Sequence, residues 1–141
     1  MSTTALICFI DDITDEGLEY IENTEFLNVS ALNKPCVYRH NDGEPYTVLN
    51  ELKDFLDDDA LRKHDAQALT AWYTHYTIDK LNKEYYKDDK RQIYVVNGLE
   101  YDLRFIEYVY LIFKGSCVVI YDGVHLIGTF YTETDDVEAF Y

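Results

Sequence analysis

Basic residues are scarce in this sequence. Twelve lysines and arginines stand against 27 aspartates and glutamates, and with the four histidines neutral the formal net charge is −15 at pH 7 over 141 residues. A polyanion or an anionic membrane would meet a field of the wrong sign, so direct nucleic-acid and membrane binding are not expected. Two prolines and six glycines are too few for a linker or low-complexity tract, and a hydrophobic fraction of 48% excludes a disordered acidic tail. Apolar runs stay well short of the roughly 18 residues that would cross a bilayer. The first dozen residues have neither a basic stretch nor a small-residue cleavage site, so the expectation is a soluble, cytoplasmic protein. Cys8, Cys36 and Cys117 are odd in number and far apart, and read as reduced core residues rather than a disulfide or metal framework.

Signatures of chemistry are also missing. None of the cysteines has a local catalytic pattern, and Cys8 and Cys117 sit in apolar runs where burial raises a thiol pKa. His64 and His75 would lie about 16 Å apart on a continuous helix, too far for one ion. The acids between Asp11 and Glu25 lack the alternating ligands and central glycine of a calcium loop. The glycines form no phosphate-cradling cluster. Neither a catalytic residue nor a cofactor or metal is expected.

What the chain does have is hydrophobic pattern. Ala5–Ile10 is a short apolar run suited to a buried strand. Thr14 can cap a helix with acids in its first turn and Leu18 and Ile21 on one face. Residues 36–40 read as a strand entering an Asn-Asp-Gly turn. Val48, Leu49, Leu52, Phe55 and Leu56 form one helical stripe. A second helix, over residues 60–87, carries Leu69, Trp72, Tyr73 and Tyr76 on one face and changes stripe after Thr77. The rest reads as a meander: a strand at 92–96, a tight Asn97-Gly98 turn, a long strand over 99–113 bent near Arg104, and strands at 117–121 and 124–131. Thr134 can cap a short terminal turn. The fold expected is a single α+β domain spanning residues 1–141, with an N-terminal strand and central helices packed on a three- or four-stranded antiparallel C-terminal meander. Those helices should cover one sheet face through Leu52, Phe55, Leu69 and Trp72.

The charge is unevenly placed. Residues 1–59 carry −11, residues 60–99 carry +2 and residues 100–141 carry −6. Asp12, Asp15, Glu19 and Glu22 recur at helical spacing, and neighbours on such a row lie about 5 to 6 Å apart, near the step of a phosphate backbone. Asp11 and Glu16 flank the row, and Asp57, Asp58 and Asp59 form a second cluster. Fourteen tyrosines add broad contact faces that grip arginine and lysine by stacking, though about half should simply fill sheet positions.

These features favour a stoichiometric inhibitor or binding protein, not an enzyme. Its acidic face would occupy the basic groove of a nuclease or other nucleic-acid-handling protein, imitating the polymer. The partner-binding residues would be Asp11, Asp12, Asp15, Glu16, Glu19, Glu22, Asp57, Asp58 and Asp59. Phage proteins that blunt restriction or CRISPR nucleases, and immunity proteins that neutralise nuclease toxins, resemble the chain in size and charge, without a shared motif. The alternatives are a small enzyme assembled from Cys36, His40 or His125, and a structural component whose acidic ends meet residues 80–91 of another copy in a homo-oligomer.

Overall fold

The computed structural model of the chain describes residues 3–84 and 93–140. Six strands form one mixed sheet: β1 (Ala5–Ile10), β2 (Pro35–Arg39), β3 (Ile93–Asn97), β4 (Tyr108–Phe113), β5 (Cys117–Asp122) and β6 (His125–Tyr131), in the spatial order β3-β2-β1-β4-β5-β6. Four helices accompany them: α1 (Asp15–Glu22), α2 (Pro45–Leu56), α3 (Ala66–Glu84) and α4 (Val137–Phe140). β1 runs parallel to β4, with Ala5 opposite Tyr108 and Ile10 opposite Phe113, and the other neighbours are antiparallel.

All six residues of β1 are buried, as a strand flanked on both sides and covered on both faces requires. Ala5, Ile7 and Phe9 face α2 and α3 together with Val37, Tyr110, Ile112, Val118 and Ile120. Leu6, Cys8 and Ile10 face the opposite side, where Leu18 and Ile21 of α1, Leu27, Leu32 and Ile106 close a second core. The sheet is therefore sandwiched, not covered on one face alone.

The expected three- or four-stranded antiparallel meander is corrected to this mixed six-stranded sheet. β4, β5 and β6 do follow one another antiparallel, but β3 crosses to the far edge and pairs with β2. The Asn97-Gly98 pair makes no hairpin. Asn97 Oδ1 instead accepts from Leu99 N at 3.0 Å and starts a 3-10 turn, and Asp102 does the same for Arg104 N at 3.0 Å. These two side-chain-capped turns walk the chain beneath β2 and β1 toward β4, so the alternation from Leu99 to Phe105 belongs to a covering loop. Gly98 is there because a Cβ would come within 2.8 Å of Cys36 Sγ and 2.9 Å of Leu32 O.

Cys8 and Cys36 form a disulfide, correcting the expectation of three reduced thiols. Continuing the β1–β2 register by one step sets them opposite each other, with Cα atoms 4.7 Å apart. Closing a loop of this separation, 28 residues, stabilises the fold by about 3–4 kcal/mol on the chain-entropy account. Cys117 is the free cysteine, and it is buried.

The helices mostly begin where capping groups stand. Thr14 Oγ1 accepts from Gly17 N at 3.0 Å, and Pro45 opens α2 at a position that needs no donor. α3 begins at Ala66, later than expected, where Asp65 Oδ1 accepts from Ala68 N, and it runs unbroken past Thr77. Asp136, not Thr134, holds the start of α4 through Glu138 N. Leu52, Phe55 and Leu69 are buried as expected, but Trp72 is 39% exposed and Tyr73 takes its place in the core. The basic end expected beyond α3, with Lys87, Lys90 and Arg91, lies outside the described residues.

Among the described residues, one ion pair is fully enclosed. Arg39 at the end of β2 donates from Nη1 and Nη2 to the two carboxylate oxygens of Glu51 on α2, at 2.5 and 3.0 Å, and from Nε to Asn41 O at 2.8 Å. Burial opposes the Arg39 charge, yet the carboxylate of Glu51, with that of Asp42 beyond it, outweighs the penalty and holds the guanidinium protonated. The Tyr73 hydroxyl is buried beside this pair with no hydrogen-bond partner among the described residues, and burial keeps it protonated. Removing one partner of such a pair strands a charge. Glu51→Ala is expected to lower stability by about 3–5 kcal/mol in denaturant unfolding, whereas the Arg39→Met, Glu51→Met double variant should recover most of that loss. Thiol counting checks the cysteine assignment: alkylation should label no cysteine in the native protein, one after denaturation without reductant, and three after denaturation and reduction.

Candidate partner-binding surface

The first acidic cluster is divided by the fold. Asp11 Oδ2 accepts from Ala66 N at 2.9 Å, so it caps the start of α3 from 55 residues away. Asp12 lies 3.7 Å from Lys34 Nζ. Asp15 pairs with Lys114, whose backbone adopts a left-handed φ of 55° in the β4–β5 turn. The following Gly115, at φ 67°, leaves no room for a Cβ, which would meet Lys63 at 2.6 Å. Glu22 turns toward the sheet, accepting from Tyr131 Oη at 3.0 Å and from Cys117 Sγ at 3.5 Å. Burial, reinforced by the Glu22 carboxylate, pushes the Cys117 thiol up to about 12 and raises the Tyr131 phenol as well. Of this first cluster, only Glu16 and Glu19 project into solvent with neither an ion pair nor a side-chain hydrogen bond among the described residues. The rest have local structural roles.

The second cluster is denser than its sequence suggests. Asp57 ends α2, Asp58 Oδ1 accepts from Ala60 N at 2.9 Å in a tight turn, and Asp59 follows; all three are exposed and make no ion pair with a described residue. Asp54, one turn earlier, accepts from Tyr76 Oη at 2.6 Å. Asp54, Asp57, Asp59 and Glu133 line a hollow of about 590 Å³ between α2 and the chain after β6. Lys53 and Lys63 share that lining but are tethered: Lys53 donates to Asp135 O, and Lys63 lies 3.8 Å from Glu133. Sequence spacing would have found Asp54, which stands in the last turn of α2, three and four positions before Asp57 and Asp58. Glu133 is brought in only by topology.

The residues considered for enzymatic chemistry are dispersed. Cys36 is in the disulfide, His40 Nδ1 is 2.7 Å from Tyr38 Oη, and the His125 ring lies 5.0 Å from that of Phe26. β2 and β6 are four strand positions apart, about 19 Å, so His40 and His125 share no site. Among the described residues, no group of three or more His, Cys, Asp or Glu is placed to hold a metal ion, and no helix is long and apolar enough to cross a membrane. Four of the tyrosines, Tyr38, Tyr73, Tyr110 and Tyr121, are buried, while Tyr20, Tyr46, Tyr94 and Tyr131 are exposed. In comparisons with protein-family models, curated proteins and solved structures, the chain matches none.

The Asp15–Lys114 contact is checkable by titration. The hydrogen bond and charge of Lys114 hold the Asp15 carboxyl below its ordinary 3.8, so the contact is in place above that value and fades as pH falls through the lowered one. Lys114→Ala should move the Asp15 pKa upward in an NMR titration and leave the Thr14 cap intact.

Proposed function

We propose that this protein is an acidic stoichiometric inhibitor that occupies the basic groove of a nucleic-acid-handling protein, without itself binding nucleic acid or membrane. The observation that carries the proposal is the position of Asp57, Asp58 and Asp59. Three consecutive exposed carboxylates sit at the C-terminal end of α2, where the helix dipole is already negative and cations are favoured. They gain no ion pair from the described residues. A partner that brings lysines and arginines would relieve this repulsion and gain both steering and affinity. Glu16 and Glu19 supply a second anionic point. The contact is therefore centred on the end of α2, with the α1 row reduced to these two residues.

The protein would act in the cytoplasm beside its target. Cys8 and Cys36 are both 0% exposed, so their disulfide, once formed, is closed to attack by soluble thiols.

The test joins capture to inhibition. Immobilised protein is mixed with host lysate at about 50 mM and about 500 mM NaCl, and each retained protein is assayed for nucleic-acid binding or cleavage with one equivalent of inhibitor. A basic nucleic-acid enzyme retained only at low salt and blocked at one-to-one ratio is the expected result. Replacing Asp57, Asp58 and Asp59 with lysine should weaken that binding at least about tenfold while holding or raising the melting temperature, because the dipole conflict is removed. Retention that ignores salt, or a retained enzyme that works unimpeded, would overturn the proposal.

A further inference from the structure

We propose that the groove between the end of α2 and α3 seats an arginine side chain of the basic partner, with Trp72 as its stacking face and Asp58 as its counter-charge. The seat rests on the inhibitor reading and specifies one contact within it. Trp72, His75, Tyr76 and Asp79 recur at helical spacing along α3 and form one wall, and Phe55, Asp58 and Leu61 form the other, enclosing about 430 Å³. Aromatic and aliphatic surface makes up much of the lining. The charged groups among its described lining residues are carboxylates, with no lysine or arginine.

The aromatic wall is fixed in place. The Tyr76 ring packs 5.5 Å from that of Phe55, and its hydroxyl donates to Asp54. Lys80, one turn further along α3, places Nζ 6.0 Å from the Tyr76 ring centroid, at the outer reach of a cation–π contact. Trp72 is 39% exposed and makes no ring or cation contact with a described residue. An indole open to solvent beside carboxylates suits a guanidinium, which stacks flat, sheds water easily and presents several donors to one carboxylate. A lysine ammonium holds its hydration shell and stacks less well. The groove is open along one side and continuous with the Asp57–Asp59 cluster. Its occupant is therefore a side chain on a protein surface.

Because Trp72 is the single tryptophan, its emission reports the groove directly. Tetra-arginine, tetra-lysine and tetra-citrulline peptides are titrated into the protein, with affinity measured by calorimetry and Trp72 emission followed in parallel. The arginine peptide should bind about three- to fivefold more tightly than the lysine peptide and should alone shift the emission. Citrulline should do neither. Asp58→Asn should abolish the emission shift, and Trp72→Leu should equalise the two cationic peptides. Equal binding of both cationic peptides with unchanged Trp72 emission would overturn the seat and leave the acidic-surface proposal standing. Absence of binding by either peptide would overturn the seat too, while the capture assay judges the inhibitor independently.

Discussion

The burial of β1 on both faces, in parallel register with β4, is the constraint that organises the rest. A strand of six apolar residues with no polar face cannot sit at the edge of a sheet or over solvent, because either position would leave its backbone or side chains uncovered. It needs a neighbour on each side and a layer above and below. α2 and α3 supply one layer. The other is assembled from α1, a 3-10 turn at Val29–Leu32 and the covering loop that leads to β4. With two cores to close, little interior is available for charge. Among the described residues the exception is Arg39 with Glu51, where a bidentate pair binds the end of β2 to α2 under the Tyr73 ring.

What could be read from the sequence was local. β1, the Thr14 cap, the α2 stripe and the strands β5 and β6 each depend on residues within a few positions of one another, and each formed where its pattern lay; of the long strand expected over 99–113, only Tyr108–Phe113 became β4. The errors fall where distant segments meet. Asn97-Gly98 carries a hairpin's residue types, but Gly98 is required by the close approach of Leu32 and Cys36, which no local window contains. The disulfide follows from the β1–β2 register, and that register is invisible until the two strands are paired. Trp72 and Tyr73 are adjacent and both aromatic. The rotation of α3 against β1 decides which is buried, and that rotation is set by packing.

The acidic residues separate on the same principle. Asp11 and Asp12 stand at the end of β1, and the chain uses them there, one as a remote helix cap and the other beside Lys34. Asp15 and Glu22 lie on the α1 side nearest the β4–β5 turn and β6, so each finds a partner in the sheet. A regular row in sequence thus becomes a set of tethers in space. It was legible as spacing, but the lysine and tyrosine that absorb it come from the other end of the chain.

The end of α2 differs because, beyond the turn bond that Asp58 accepts from Ala60 N, its three carboxylates find no counter-charge among the described residues. A carboxylate near a helix C-terminus is unfavourable by about 0.3–1 kcal/mol, and neighbouring like charges add to the penalty. Lysines at these positions would stabilise the domain, and Lys53 and Lys63 close by are directed to Asp135 and Glu133 instead. Sequences agree with their folds at most positions, and the places where a local rule is broken without structural compensation are those where function is expected. The break here is accompanied by an exposed tryptophan and an open groove, neither of which the core requires. Carboxylates without a counter-charge among the described residues, set beside exposed aromatic surface, are the features on which the proposed arginine-rich partner rests.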